Sequence, residues 1–351
     1  MLQRVSPLRA VSRGLSLHLR ASVLASASAT VTAPASLRYS SSSRVNRAAV
    51  ASATASQPSL DADAHVTGHG YTYPRWNAAG KEPVTAETIT ALLSNNLSNL
   101  GVKDFLSAEE CSRMVEVIRT HTIGSYGANV WPPIGKVGIT QFDNQNDKKT
   151  YFASVPSARA LQTRFITEAN IDIVARVADY LRSVTNLPVR LARESITPNP
   201  GTKDESSGEG EYFAGLLRLI NSSALIHADY GPFDAPGWEI GRISAQLSWN
   251  ILLREVQGGE CIIYRRFWEG KSDDARFKQK KPGYGYTREA VEGCEVQVVK
   301  PEVGELTFFN SRNFHEVNAV QQAELFPRYT VSSFIGLLPV AGGGFEIILW
   351  S

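Results

Sequence analysis

Apolar residues recur along this chain at two different periods, and the change from one to the other falls near Pro188. Helical signals begin near Val84. In DFLSAEECSRMVEVIRT, Met114, Val117 and Ile118 stand three and four apart, a spacing that gathers side chains on one face of a helix. Ser107 followed three residues later by Glu110 is a capping-box pattern, which places the start of that helix. A second stripe, Ile171, Val174, Ala178 and Leu181, predicts a helix over about 168–184 that Pro188 closes. Beyond Pro188 the period becomes two. VRLARESI alternates, and after a Gly/Glu/Ser loop (200–210) comes YFAGLLRLINSSALIHAD. RISAQLSWNILL then alternates with Ser244, Gln246, Ser248 and Asn250 on one face, a face suited equally to a pocket wall or to solvent. GGECIIYRRF, VEGCEVQVV, GELTFFN and RYTVSSFIGLL follow, each bounded by Gly, Pro or Asn. Helices first and many short strands second is an α+β order, and such strands close into a sandwich or barrel. The longest break among them, Trp268 to Glu292, contains SDDARFKQKKPGYGY. It reads as a surface loop or as a lid with Tyr284 or Tyr286 touching substrate.

The first 60 residues belong to neither pattern. They hold seven of the 36 basic residues, all arginine, and the first acidic residue is Asp61. Removing them leaves 29 basic against 34 acidic residues, so the body is mildly acidic and a nucleic-acid partner is not expected. On a helical wheel Leu8, Val11, Leu15 and Leu19 share a face while Arg9, Arg13 and Arg20 lie opposite, and Ser/Ala/Thr-rich sequence leads on to LRYSSSSR. This is the pattern of a transit peptide (1–60), mitochondrial by its arginines, with a plastid address as the alternative and a processing site near Arg38. Residues 61–100 read as linker and first helix, with His65 and His69 exposed in the linker. No window offers about 18 uninterrupted apolar residues, so no membrane span is expected. Three scattered cysteines, Cys111, Cys261 and Cys294, form neither a disulfide framework nor a CxxC pair and fit a reducing compartment.

The chemistry concentrates in three places. LIHADYGP sets His227 and Asp229 two apart, so that in a strand both project from one face. His315 stands in GELTFFNSRNFHEV, after an apolar strand and a polar turn. His121 closes a helix and reads as structural. Two neutral imidazoles and a carboxylate are the ligand set of a facial triad, which holds Fe(II) and leaves three positions open for a bidentate 2-oxo acid and dioxygen. PRYTVSSFIG then supplies Arg328 at the start of a strand with Thr330 on the same face, a guanidinium and a hydroxyl able to grip a carboxylate. Glu316 is a competing internal partner for Arg328. Arg218 and Tyr212 are further residues within possible reach of such a site.

The run from Leu217 to Leu338 resembles the 2-oxoglutarate- and Fe(II)-dependent oxygenases, in particular the prolyl 4-hydroxylase-like branch. The matching pieces, in order, are HAD, the strand ending in WN, GGECIIY, VVKPEVGELTFFNSRNFHEV and PRYTVSSF, with DFLSAEECSRMVEVI resembling the helix that opens these domains. The resemblance implies a double-stranded β-helix (jelly roll) flanked by N-terminal helices over residues 101–345, iron at His227, Asp229 and His315, and 2-oxoglutarate at Arg328, aided by Thr330. It implies oxidation of a C–H bond of a small molecule or a protein side chain, coupled to conversion of 2-oxoglutarate and dioxygen to succinate and CO2. Asp229 argues against a halogenase, a variant that lacks the carboxylate to make room for halide. Arg328 stands where prolyl 4-hydroxylases proper place a lysine, which weakens an assignment to protein prolyl hydroxylation. Two other classes share the architecture: a non-catalytic jelly-roll protein that binds metal or 2-oxo acid, and a cupin that needs no 2-oxoglutarate and therefore no Arg328. Primary substrate and oligomeric state are not encoded in any motif.

Overall fold

The alternation in RISAQLSWNILL becomes a strand whose two faces do different work, and the fold is arranged around it. The computed structural model describes residues 64–66, 72–74, 76, 82–196, 208–280 and 283–351. The Arg-rich leader and His69 lie outside the described residues, and of His65 only the backbone is described. The early strands are β1 (Ala64–Val66), β2 (Thr72–Pro74), β3 (Asn99–Val102), β4 (Gly124–Ser125) and β5 (Gly135–Val137). The middle ones are β6 (Val189–Leu191), β7 (Arg193–Ile196), β8 (Gly208–Glu211), β9 (Leu216–Leu219), β10 (Ala224–His227), β11 (Ala245–Leu252) and β12 (Cys261–Phe267). The last are β13 (Val296–Val299), β14 (Leu306–Phe309), β15 (Asn313–Val317), β16 (Tyr329–Pro339) and β17 (Phe345–Trp350). The helices used below are α1 (Ala86–Leu93), α2 (Ala108–Arg119), α3 (Ile173–Thr185), α4 (Gly231–Asp234) and α5 (Lys271–Phe277).

Two sheets face each other as a double-stranded β-helix. The larger runs β3-β14-β11-β16-β9-β5-β4, with β17 added on β16 and β6 on β17; the smaller runs β10-β15-β12-β13. Strand β16 is long enough to pair with β9 through Tyr329–Ser332 and with β17 through Phe334–Pro339. Odd-numbered residues of β11 (Leu247, Trp249, Ile251) join Phe308, Val331 and Ile335 in the main core, together with Met114 and Ile118 of α2 and Val177 and Leu181 of α3. The helices therefore cover the outer face of the larger sheet, and the even-numbered residues of β11 are turned toward the smaller one. This is the amphipathic strand logic of a half-buried sheet, with a cavity in place of solvent on the polar side.

Local signals set the helix ends. Ser107 and Glu110 form the reciprocal cap at the start of α2 (2.8 and 3.1 Å), and Thr85 with Thr88 does the same for α1. The expectation of a helix over 168–184 needs correction: α3 starts at Ile173, capped by Asp172 on the Ala175 amide, because Asn170 takes a left-handed conformation (φ 58°) that ends the preceding turn. Asn186, also left-handed, ends α3 ahead of Pro188. Residues 99–102, between the first two helices, form the edge strand β3 on β14. His121 sits just past the C-cap of α2 beside Arg164, where burial and then that guanidinium lower its pKa.

The described residues of 268–292 form a cap with a packed apolar underside. It contains α5, and Trp268, Phe277, Tyr286, Ala290 and Val291 share a hydrophobic cluster with Ile226, Tyr230 and Phe314. Arg266 and Asp273 form a fully buried ion pair at its base. The three cysteines are free, and no described helix is long and apolar enough to cross a membrane.

Candidate metal and co-substrate site

His227 is the last residue of β10 and lies directly across from His315 in the register of β10 against β15. Alternation does the rest: Phe314 and Glu316 point outward, while Asn313 and His315 point in. The imidazole centroids stand 4.2 Å apart. Asp229 falls just past the end of β10, in the turn that leads to α4, where its amide donates to Ser311 O (2.9 Å). Gln246 of β11 braces this turn, donating to Asp229 O (3.1 Å) and accepting from the Gly231 amide (2.8 Å). Asp229 Oδ2 lies 3.7 Å from His315 Nε2 and 4.0 Å from His227 Nε2, and all the candidate ligand atoms fall within 4.8 Å of one another.

Each imidazole donates its Nδ1 proton to a carbonyl two residues back in its own strand: His227 to Leu225 O (2.6 Å) and His315 to Asn313 O (2.9 Å). That leaves Nε2 of each ring as the free lone pair, aimed at the shared space. Burial, and then the neighbouring His227, hold the pKa of His315 well below its usual value, so this ring is neutral and needs to lose no proton before binding a cation. Two neutral nitrogens and one carboxylate on one side of a cavity suit a six-coordinate divalent metal; cis ligands at roughly 2.1 Å stand about 3 Å apart, a contraction of about 1 Å from the distances here.

Arg328 immediately precedes β16 and faces the same cavity. It is 5% exposed, and its Nε is a buried donor with no partner. Among the described residues its one side-chain bond is a long contact from Nη1 to Thr330 Oγ1 (3.4 Å), and it makes no ion pair. Burial pushes its pKa down to about 10. The competing partner, Glu316, faces outward and binds Arg288 (2.8 Å) and the Tyr264 hydroxyl. A buried guanidinium without an anion is costly, so this one fits a carboxylate that arrives with a ligand. Gly259 of the GGECIIY run explains the close packing: a Cβ there, at φ +71°, would lie 2.8 Å from Arg328 Cδ.

The cavity holding these groups has a volume of about 200 Å³. Ser248 and Asn250 line it, while of the other two residues on that face Ser244 is exposed and Gln246 is committed to the Asp229 turn. Tyr284 lines it with its ring edge toward His227 (5.9 Å) and its hydroxyl accepting from the Leu225 amide (2.9 Å). Tyr286 also lines it, but its hydroxyl is committed to Asp274. Of the two further residues considered from sequence, Arg218 reaches the cavity; Tyr212 is buried elsewhere against Tyr151 and Trp238. Tyr126, which lines the cavity and bonds Arg218, and Ser332, which bonds the same guanidinium, carry no motif of their own. The burial of Cys261 in the cavity wall pushes its thiol up to about 12, which makes it inert.

A jelly roll that sets two histidines, an aspartate and an unpaired arginine around one cavity defines an Fe(II)- and 2-oxoglutarate-dependent oxygenase, an oxidoreductase. Comparison with known proteins agrees. Residues 81–338 match the model of the family described as carrier-protein-independent halogenase WelO5, and the chain belongs to that family. It is 57% identical over 229 residues to leucinostatins biosynthesis cluster protein S of Purpureocillium lilacinum, covering 64% of this chain and 89% of that one. It is 29% identical over 174 residues to L-gamma-glutamyl-L-propargylglycine hydroxylase of Streptantibioticus cattleyicolor, covering 47% and 59%. Among solved structures, the N-substituted L-amino acid dioxygenase of Burkholderia ambifaria aligns with a TM-score of 0.43 and 15% identity, over 75% of this chain and 90% of that one.

Proposed function

We propose that this oxygenase hydroxylates a C–H bond of a small molecule, with His227, Asp229 and His315 holding the iron and Arg328, aided by Thr330, holding the distal carboxylate of 2-oxoglutarate. The observation that carries the reading is the buried, anion-free Arg328 in the same cavity as two histidines whose Nε2 atoms are free. When bound, iron supplies the oxidation, in which 2-oxoglutarate and dioxygen yield succinate, CO2 and the oxidised C–H bond. The chain's own residues do the positioning. The carbonyls of Leu225 and Asn313 fix the two imidazoles, Gln246 and Ser311 fix the Asp229 turn, and the aromatic cap around Trp268 and Tyr286 keeps bulk water from that side. The family's description names a halogenase, but Asp229 occupies the position a halide would need, which favours hydroxylation. The S. cattleyicolor relative, named as a hydroxylase of a small γ-glutamyl amino acid, supports both halves of that reading. Kinship with the prolyl 4-hydroxylase-like branch remains part of the proposal through the shared order of motifs.

The test is succinate release that depends on added Fe(II) and 2-oxoglutarate, with product mass determined in chloride-containing buffer. Addition of one oxygen atom supports the proposal. Chlorinated product, or full turnover by the His227→Ala protein, overturns it. The proposal extends to the leader: residues 1–60 direct the chain to mitochondria, a plastid being the alternative, with 101–345 as the oxygenase domain. Fusion of 1–60 to a fluorescent protein reads the address directly, and a cytosolic fusion refutes it.

A further inference from the structure

Arg218 lies in β9, in register with Thr330 of β16 on one side and Lys136 of β5 on the other. Its side chain enters the cavity that holds the triad and Arg328. Its Nε donates to the Tyr126 hydroxyl (3.2 Å) and its Nη1 to Ser332 Oγ (3.0 Å), and Cζ stands 5.9 Å from the centre of the Phe334 ring. All three partners are neutral. Among the described residues Arg218 makes no ion pair, although it is near enough for Asp229, His315 and Arg328 to feel its charge.

A charge account of the loaded site shows what is missing. The two charges of Fe(II) meet Asp229 and the metal-binding carboxylate of 2-oxoglutarate, and the distal carboxylate meets Arg328. Lys278, also in the wall, has Asp274 (3.6 Å). Asp234 accepts from the Tyr230 amide (3.0 Å) and has Asp229, Lys278 and Asp274 as its charged neighbours. Arg218 is left over, a half-buried cation on the cavity wall whose bonds all go to neutral groups, and a charge so placed favours an anion beside it. Next to it the wall turns apolar: Val130, Ile134 and Ile220 line the cavity and pack with Ala224 and Val317, and the ring of Tyr126, whose hydroxyl holds Arg218, packs against the same cluster.

We propose that Arg218 anchors the primary substrate by a carboxylate, so that the substrates are carboxylic acids whose apolar body lies along Val130, Ile134 and Ile220. This rests on the oxygenase reading, in which Arg328 serves the co-substrate and Asp229 the metal. Arg218 then sets specificity: a guanidinium held from two sides by neutral hydroxyls presents its remaining donors in fixed geometry, and an amide or ester in place of the carboxylate leaves its charge unmet.

The experiment uses the full chain, wild type and Arg218→Met, and matched pairs of free acid and primary carboxamide: hexanoic acid, phenylacetic acid, N-acetyl-L-leucine and γ-glutamyl-L-norvaline. Binding is read by calorimetry, in metal-free protein and in anaerobic protein loaded with Fe(II) and 2-oxoglutarate. Affinity for 2-oxoglutarate is read separately, from the visible charge-transfer band it forms with Fe(II). At least one acid is expected to bind wild type about tenfold or more tightly than its amide. In Arg218→Met that preference falls to within about threefold, while 2-oxoglutarate affinity changes by less than about threefold and the melting temperature holds or rises. The proposal is overturned if no acid outbinds its amide in wild type, or if the preference survives in Arg218→Met. It is equally overturned if the variant loses 2-oxoglutarate with the acid preference unmoved, which would assign Arg218 to the co-substrate. Absence of the charge-transfer band in wild type would count against the oxygenase reading itself, while calorimetry on the metal-free protein still decides the anchor.

Discussion

Replacing Arg328 with methionine separates binding from folding. In the ligand-free protein the guanidinium is 5% exposed, lacks a carboxylate and leaves Nε unpaired. Burial lowers its pKa from the ordinary guanidinium range to about 10, which corresponds to roughly 3 kcal/mol of strain on the charged form. The depressed pKa of a base means that the folded state binds fewer protons than the unfolded one above about pH 10, so this penalty is fully present at every pH below about 10. Methionine keeps most of the packing and removes the penalty. The Arg328→Met protein without ligands should therefore melt at the wild-type temperature or above it. Its affinity for 2-oxoglutarate should collapse: truncating one partner of a buried, hydrogen-bonded charge pair costs about 2–5 kcal/mol, or roughly 30-fold to several thousandfold in Kd. Anaerobic titration of the Fe(II) protein, followed at the charge-transfer band, measures the second quantity, and differential scanning fluorimetry the first. The reasoning is refuted if the variant binds 2-oxoglutarate within threefold of wild type. It is also refuted if the ligand-free variant melts more than about 5 °C lower, since that would reveal a structural partner for the guanidinium.

Three further outcomes follow from other contacts. Gly259→Ala should raise the Kd for 2-oxoglutarate and lower stability by about 1–3 kcal/mol, because a Cβ at φ +71° is strained and pushes on Arg328; an unchanged Kd in the same titration would show that Arg328 has room to move. Asn313→Ala removes two buried amide contacts with Asn95 (2.7 and 3.1 Å), costing about 2–4 kcal/mol and lowering the melting temperature by roughly 4–12 °C; a change below 2 °C would contradict the burial of this pair. Burial raises the pKa of Asp234 to about 7, so the folded protein binds more protons than the unfolded one between about pH 4 and 7, and stability falls as pH rises through that window. Asp234→Asn should flatten that part of the pH–stability profile and gain up to a few kcal/mol at neutral pH, whereas parallel profiles for the two proteins would place the ionisation elsewhere.

Strands were legible wherever alternation ran long. RISAQLSWNILL and RYTVSSFIGLL announce β11 and β16 because their buried and cavity-facing residues truly alternate. The triad was legible because H-x-D and the distant FFNSRNFHEV carry residue types that a hydrophobic core does not favour. What sequence could not show was register. Arg218 becomes informative only when β9 is set against β16, and Ser248 and Asn250 only when the smaller sheet faces β11. The start of α3 was placed too early because one left-handed asparagine, Asn170, separates the preceding turn from the apolar stripe that begins at Ile171. The 268–292 segment reads as a surface loop because most of its charges are exposed, while its buried part rests on a few side chains, Asp273 paired with Arg266 and the apolar set Trp268, Phe277, Tyr286, Ala290 and Val291.

The two histidines take their orientation from main-chain carbonyls two residues behind them rather than from other side chains. A carbonyl cannot be altered by substitution. The tautomer of each ring is thus inherited from strand geometry, and changes in side chains around the cavity leave it intact as long as β10 and β15 stay paired. The residues proposed to hold the substrate, Arg218 of β9 with Val130, Ile134 and Ile220, lie outside the two strands that carry the histidines. The architecture thereby uncouples selection for new substrates from maintenance of the metal centre, and a lineage built on it can change what it oxidises without first relearning how to hold iron.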